Sequence, residues 1–283
     1  MLRGFYTAAA GMIAQQRVTE YLTNNLSNAN TPGYKGEQAS LRAFPEMLMQ
    51  RMGVDDIPQG PNATKNGPFI GTLTNGVYMQ ETTPTFTQGD LQQTNKSTDI
   101  AIQERVMPFD TTAKTKGALF FVLENNNKID KNDNFRYTRN GNFTLDQQGF
   151  LTTNNGQYVL DENNKRIHVQ STDFQVLGDG TILENNQRVA KLKIAFSNNP
   201  YSLVKEGEGL FKTSGNQPLP NAPRNNQLSY TVNQGSLERS NVDVTSTYTN
   251  LMSAYRSFEA NQKVLETFDK SMDRAVNDIG KLR

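Results

Sequence analysis

Residues 244–279 read VTSTYTNLMSAYRSFEANQKVLETFDKSMDRAVNDI. Within this stretch Val244, Leu251, Phe258, Leu265, Met272 and Ile279 recur every seven residues. Tyr248, Tyr255, Gln262, Asp269 and Val276 fill a second seam position. No proline interrupts residues 241–282, and the one glycine there, Gly280, stands near the end. A seven-residue apolar repeat sustained this long predicts a coiled-coil helix over residues 236–283. Polar Gln262 and Asp269 on the seam lower its stability and help to set its register. A long surface helix packed on its own domain is the plainer alternative, but the narrow stripe argues against it.

The opposite end of the chain is written in the same way. Leu2, Phe5, Ala9, Met12 and Ile13 share one helical face, and Val18, Leu22 and Leu26 continue it more weakly. Asn28, Asn30, Pro32 and Gly33 then end the helix, because proline cannot continue it and asparagine and glycine accept turns. A weaker helical piece is predicted through Phe44-Pro45-Glu46-Met47-Leu48-Met49, giving an N-terminal helical segment over residues 1–52. Burying each large seam side chain stabilises by roughly 1.5–3 kcal/mol, provided a partner stripe covers it. The N-terminal helix is the partner at hand, yet it is the shorter of the two. Neighbouring copies are the natural cover for the rest, and surfaces used head to tail generate rings or open filaments. The predicted assembly residues are Leu2, Phe5, Ala9, Met12, Leu22 and Leu26 at one end. At the other they are Val244, Tyr248, Leu251, Tyr255, Phe258, Leu265, Met272 and Ile279.

Between the helices the pattern changes. Residues 53–95 carry Pro58, Pro61, Pro68 and Pro84 among Gly, Asn, Thr and Gln, and are expected to be an extended linker with pieces such as Gly76-Val77-Tyr78-Met79. Residues 96–235 hold short β-branched and aromatic runs. These are Ile100–Ile102, Leu119–Leu123, Phe135–Thr138, Phe143–Leu145, Tyr158–Leu160, Ile167–Val169 and Lys191–Phe196. Asn140-Gly141, Gln148-Gly149, Asn155-Gly156 and Asp179-Gly180 punctuate them as turns that admit positive φ. The expectation is an antiparallel meander closing into an all-β domain. The fold class is therefore α+β: long N- and C-terminal helices forming a coiled coil, with a central all-β domain.

Composition narrows the function classes. The 29 Lys and Arg nearly balance the 28 Asp and Glu, so no charge excess points to nucleic acid or an anionic membrane. The absence of Cys removes disulfides, thiolate metal sites and a thiol nucleophile. His168 is the single histidine and sits in an alternating, strand-like stretch. Asp130, Asp133, Asp161, Asp173 and Asp179 lie among Asn and Gly, where turn chemistry accounts for them. No phosphate-binding loop, zinc-protease motif or nucleophile elbow occurs. No apolar run reaches the roughly 18 residues of a membrane span. The first residues do not read as a cleaved signal peptide. No enzyme activity, cofactor, metal or small-molecule substrate is expected.

Three regions carry a resemblance. Asn24-Asn25-Leu26-Ser27-Asn28-Ala29-Asn30-Thr31-Pro32-Gly33-Tyr34-Lys35 and Ser240–Val244 with Asn250–Leu265 are similar to the terminal signatures of the axial proteins of the bacterial flagellar rod and hook. Tyr137–Asp146 with Gly149-Phe150-Leu151 resembles the β domain of the distal-rod and hook branch. In that family a Gly-x-Gly-Phe-Phe strand usually follows Thr98–Ile102 almost at once, whereas here residues 103–116 intervene. The resemblance implies a structural subunit of the flagellar basal body, in the distal rod or rod-hook region. It implies partners that are copies of itself, other rod and hook subunits, and the flagellar type III export apparatus, with export that cleaves no signal. The terminal helices would form an inner tube with the β domain outside. A cell-surface binding module on a coiled-coil stalk is the alternative class. A carbohydrate-cleaving enzyme is a third, and needs a catalytic carboxylate pair.

Overall fold

A computed structural model describes residues 2–50, 69–111, 114–125, 135–215, 217–222 and 228–279. The expected turn residues Asp130 and Asp133 lie outside them. The chain divides into two compact units. The first comprises Met1–Asn24, Gln38–Thr82 and Thr245–Arg283, and the second Asn25–Glu37 and Thr83–Val244.

Helix α1 spans Leu2–Ser27 and helix α2 spans Val244–Arg274, nearly all of each in the first unit, and α2 runs on into a π-helical turn at Ala275–Ile279. Residues 236–243, expected inside the C-terminal helix, precede it, and Ser236–Glu238 are a strand. Between the helices in sequence lies a two-stranded ribbon. Strands β1 (Glu37–Ala43) and β4 (Val77–Pro84) pair, and β2 (Met47–Gln50) pairs antiparallel with β3 (Phe69–Leu73). Phe44 N–H donates to Gly76 O at 3.0 Å where the two ladders meet. The helical piece expected at residues 44–49 is thus extended, with Met47 to Met49 in a strand. Pro45 pushes Phe44 into extended backbone, and Met47 to Gln50 find ladder partners in residues 69–73.

The second unit holds the β domain. Strands β5 (Leu91–Gln93), β6 (Ile100–Val106), β7 (Phe109–Asp110), β8 (Thr115–Lys116), β9 (Ala118–Glu124), β10 (Phe135–Thr138), β11 (Phe143–Leu145) and β12 (Leu151–Thr153) come first. They are followed by β13 (Gln175–Val176), β14 (Thr181–Glu184), β15 (Gln187–Lys191), β16 (Ile194–Ser197), β17 (Leu203–Gly207), β18 (Leu210–Thr213), β19 (Ser229–Gln234) and β20 (Ser236–Glu238). The expected runs at Tyr158–Leu160 and Ile167–Val169 make isolated bridges instead of strands. Every registered pairing is antiparallel, but the order is not a meander. The main sheet runs β16-β9-β10-β18-β17, and β6 pairs with β19 across more than a hundred residues. Within the stretch 103–116, residues 103–106 extend β6, and β7 pairs antiparallel with β8.

The run Leu119-Phe120-Phe121-Val122-Leu123 explains the core. Strand β9 is buried on both faces, which is why it reads as continuous rather than alternating apolar sequence. Leu119, Phe121 and Leu123 enter one cluster with Ile100, Ile102, Phe143 and Leu151. Phe120 and Val122 enter a second with Tyr137, Leu203 and Phe211. Gly149, Gly156 and Gly180 take positive φ at their turns, as the motifs predict. Gly141 does not. A Cβ there would come within 1.6 Å of the Ile100 carbonyl oxygen, so close backbone approach, not turn conformation, requires glycine.

Candidate assembly interface

The two helices pack antiparallel. A Cβ placed on Gly4 would lie 2.6 Å from the Phe268 ring, and one on Gly11 would lie 3.0 Å from the Asn261 side-chain amide. Position rises by seven on α1 while it falls by seven on α2. The α1 face that makes this contact is built of small residues, Gly4 and Gly11, with buried Ala8 between them. Small residues let helix backbones approach, and ring and amide side chains of α2 fill the space.

The covered face of α2 alternates in steps of three and four. Thr247 and Ala254 are buried, and Leu251, Phe258, Asn261, Leu265, Phe268, Met272 and Ala275 are half-buried. Four of the predicted seam residues, Leu251, Phe258, Leu265 and Met272, therefore lie on the covered side. The second seam position within the chain is 247, 254, 261, 268 and 275, one residue before the expected one. Tyr248 is 55% exposed, Tyr255 52% and Val276 72%, and Val244 is also exposed. Tyr248, Met252 and Tyr255 form an open apolar stripe about a quarter turn round the helix from the covered face, at about 100° per residue.

On α1, Leu22 is buried, while Phe5, Ala9, Met12 and Leu26 are half-buried. The side chains of Leu2 and Ile279 lie outside the described set. The deepest apolar positions are Ala14, Leu22 and Ala8. Two of these are alanines, which an apolar-stripe reading passes over; a small residue every three or four positions was the available signal.

A third feature was missed altogether. In the second unit buried Lys35, Arg139 and Glu238 form an ionic quartet with half-buried Glu104. Lys35 Nζ donates to Glu238 Oε1 at 2.6 Å, and both side chains are 2% exposed. Arg139 Nε donates to Glu238 Oε2 at 2.8 Å, and its Nη1 donates to Glu104 Oε1 at 2.7 Å. Lys35 also donates to the Thr87 carbonyl, and Gly89 N–H donates to Glu238. Burial alone would push the Glu238 carboxyl up, but the charges of Arg139 and Lys35 outweigh it and hold the group below its usual range. Burial and the nearby Arg139 charge push Lys35 down, against the pull of Glu238. Arg139 is raised because its two carboxylates outweigh its burial.

Around this quartet the terminal signatures meet. Gly33 N–H donates to the Glu238 carbonyl at 2.7 Å. Gly36 N–H donates to Asn241 Oδ1 at 2.7 Å, and Asn241 Nδ2 donates to the Thr85 carbonyl. Asn25 accepts from and donates to the backbone of Glu37. Gly33 takes φ +68°, and a Cβ there would strike the Arg139 backbone at 2.5 Å. The signature residues Asn25, Gly33, Lys35 and Asn241 thus build the junction where α1 ends and α2 begins. They are not an exposed binding surface.

Elsewhere the polar residues do local work. Asp161 accepts from Asn163 and Lys165 N–H, and Asp179 from Thr181, closing turns. His168 is exposed between buried Ile167 and Val169, with its ring edge-on to Phe150. Among the described residues no three His, Asp or Glu side chains converge as a metal site.

Three family profiles match the chain. Residues 5–35 match the flagella basal body rod protein, residues 116–184 the flagellar hook protein FlgE/F/G D1 domain, and residues 233–278 the flagellar basal body rod FlgEFG protein C-terminal region. The sequence is 44% identical over the full length of both chains to the flagellar hook-basal body complex protein FlhO of Bacillus subtilis. It is 28% identical to the flagellar basal-body rod protein FlgG of Borreliella burgdorferi, covering 98% of each chain. The rod protein FlgF of Caulobacter vibrioides is 25% identical over the whole of both chains.

Proposed function

The chain belongs to the family of flagellar basal-body rod and hook proteins, and from that premise we propose that it polymerises through its terminal helices. It is a structural protein of the basal body, and a structural family implies no catalytic role. Nothing in the comparisons supports a separate surface-binding module. In the assembled wall α1 and α2 act as a coiled coil whose uncovered side meets neighbouring subunits. Those neighbours are copies of the chain and other rod or hook subunits, reached by type III export.

One observation carries this reading. Helix α2 has two apolar faces, and its own α1 covers only one of them. Two exposed tyrosines and a methionine on a single helical stripe form an apolar strip of the kind that marks an interaction site. The test compares two pairs of substitutions. Tyr248→Asp with Tyr255→Asp is expected to leave the folded monomer unchanged and abolish incorporation into basal bodies. Leu251→Asp with Phe258→Asp is expected to release α1 from α2 in the monomer as well. Normal incorporation of the tyrosine pair, with export verified for both, would overturn the reading.

A further inference from the structure

Helix α1 and the ribbon enclose an open apolar groove of about 830 Å³. Tyr6, Ala10, Ile13 and Arg17 line it from the helix, and Phe44 and Met47 from the ribbon. Tyr6 is 63% exposed and Ile13 52%, so this surface is as open as the tyrosine stripe of α2. The two patches share no residue. An open filament needs two such different, complementary surfaces, one on each side of every subunit.

On the reading that the terminal helices carry assembly, we infer that this groove receives helix α2 of a second copy, through the stripe Tyr248, Met252 and Tyr255. Copies in a polar filament share one orientation, so the incoming α2 runs parallel to the resident α2 and antiparallel to α1. Antiparallel alignment matches both surfaces step by step. Tyr6 meets Tyr255, Ala10 meets Met252 and Ile13 meets Tyr248 of the second copy. The charges then agree at the Arg3 end. Arg3, one turn before Tyr6, stands level with Glu259, and both are exposed. A cation beside one apolar strip thus faces a carboxylate beside the other, which helps to select a partner and to set its register.

Within one chain this pairing is out of reach. The contacts of Gly4 with Phe268 and Gly11 with Asn261 set Tyr6 level with residue 266. Tyr255 is eleven residues away, about 16 Å along the helix. A disulfide needs Cα atoms within about 7 Å. The native chain has no Cys, so introduced thiols report alone.

The experiment co-expresses differently tagged copies carrying Tyr6→Cys and Tyr255→Cys and oxidises the isolated basal bodies. A disulfide-linked dimer containing both tags is expected, and likewise for Ile13→Cys with Tyr248→Cys. Tyr6→Cys with Tyr201→Cys, an exposed β-domain position, is expected to give no band above background. Gly4→Cys with Phe268→Cys in one chain is expected to close within that chain and shows that oxidation worked. If that control closes and incorporation is normal, but Tyr6→Cys links to no Tyr255→Cys or links to another Tyr6→Cys, the groove inference falls. The assembly reading would then stand. That reading fails separately, if the aspartate pair at Tyr248 and Tyr255 assembles normally.

Discussion

At the scale of single residues, the decisive group is Glu238. It is 2% exposed and answers both Lys35 and Arg139, so removing its charge leaves two buried cations with one carboxylate. Breaking a buried pair in this way costs about 3–5 kcal/mol. Glu238→Gln is expected to lose that much in denaturant melts followed by circular dichroism; a loss under about 1 kcal/mol would show that water reaches the quartet. The same group sets an acid response. Its folded pKa lies below the ordinary value of 4.5, so its stabilisation is complete above that value and is lost as pH falls through the folded one. The native protein is therefore expected to lose stability more steeply on acidification than Glu238→Gln. Lys35 contributes the same sign of slope at the alkaline end, since its folded pKa is also depressed. Gly141→Ala tests close approach: with the Ile100 oxygen 1.6 Å from the new Cβ, the Ile100–Gly141 contact must open, and the melting temperature is expected to fall sharply.

At the scale of elements, α1 and α2 make opposite bargains. Helix α2 supplies bulk and α1 supplies room, through Gly4, Ala8 and Gly11. Gly11→Leu separates propensity from packing. Propensity alone predicts stabilisation, by somewhat less than the about 0.8–1 kcal/mol that separates glycine from alanine, because glycine is the poorer helix former. Packing predicts the reverse, since the added side chain runs into Asn261. Faster hydrogen exchange in both helices is the expected result, and slower exchange would refute the close antiparallel contact. The same reasoning explains the shifted seam. Leu251, Phe258, Leu265 and Met272 belong to either assignment, and only the partner helix decides whether Ala254 or Tyr255 completes the face.

For the whole molecule, the long-range pairings determine what folds alone. A fragment of residues 95–230 reads from sequence as a self-sufficient β domain. It lacks Lys35, Glu238, strand β5 and strand β20, and it cuts β19. It is expected to melt at a markedly lower temperature than a fragment of residues 25–244, which keeps the quartet whole. Equal melting would show the junction to be dispensable. In dilute full-length protein the α1 and α2 amides are expected to exchange faster than those of β9 and β10. The helices keep an apolar side open, whereas those strands are central in the sheet.

Local pattern was sufficient for the two terminal helices, most β runs, three positive-φ turns and the family signatures, because each depends on residues near one another in sequence. Heptad spacing at residues 251, 258, 265 and 272 located one covered edge of α2 for the same reason. Which neighbouring position completes that face, and which stays open, depended on where α1 lies. The ribbon strand at Met47–Gln50 depended on its ladder partner, and the paired order of β6 and β19 on contacts over a hundred residues apart. Lys35, Arg139 and Glu238 are ordinary charges in sequence. Only the tertiary structure removes them from water together, and low dielectric then makes each indispensable to the others.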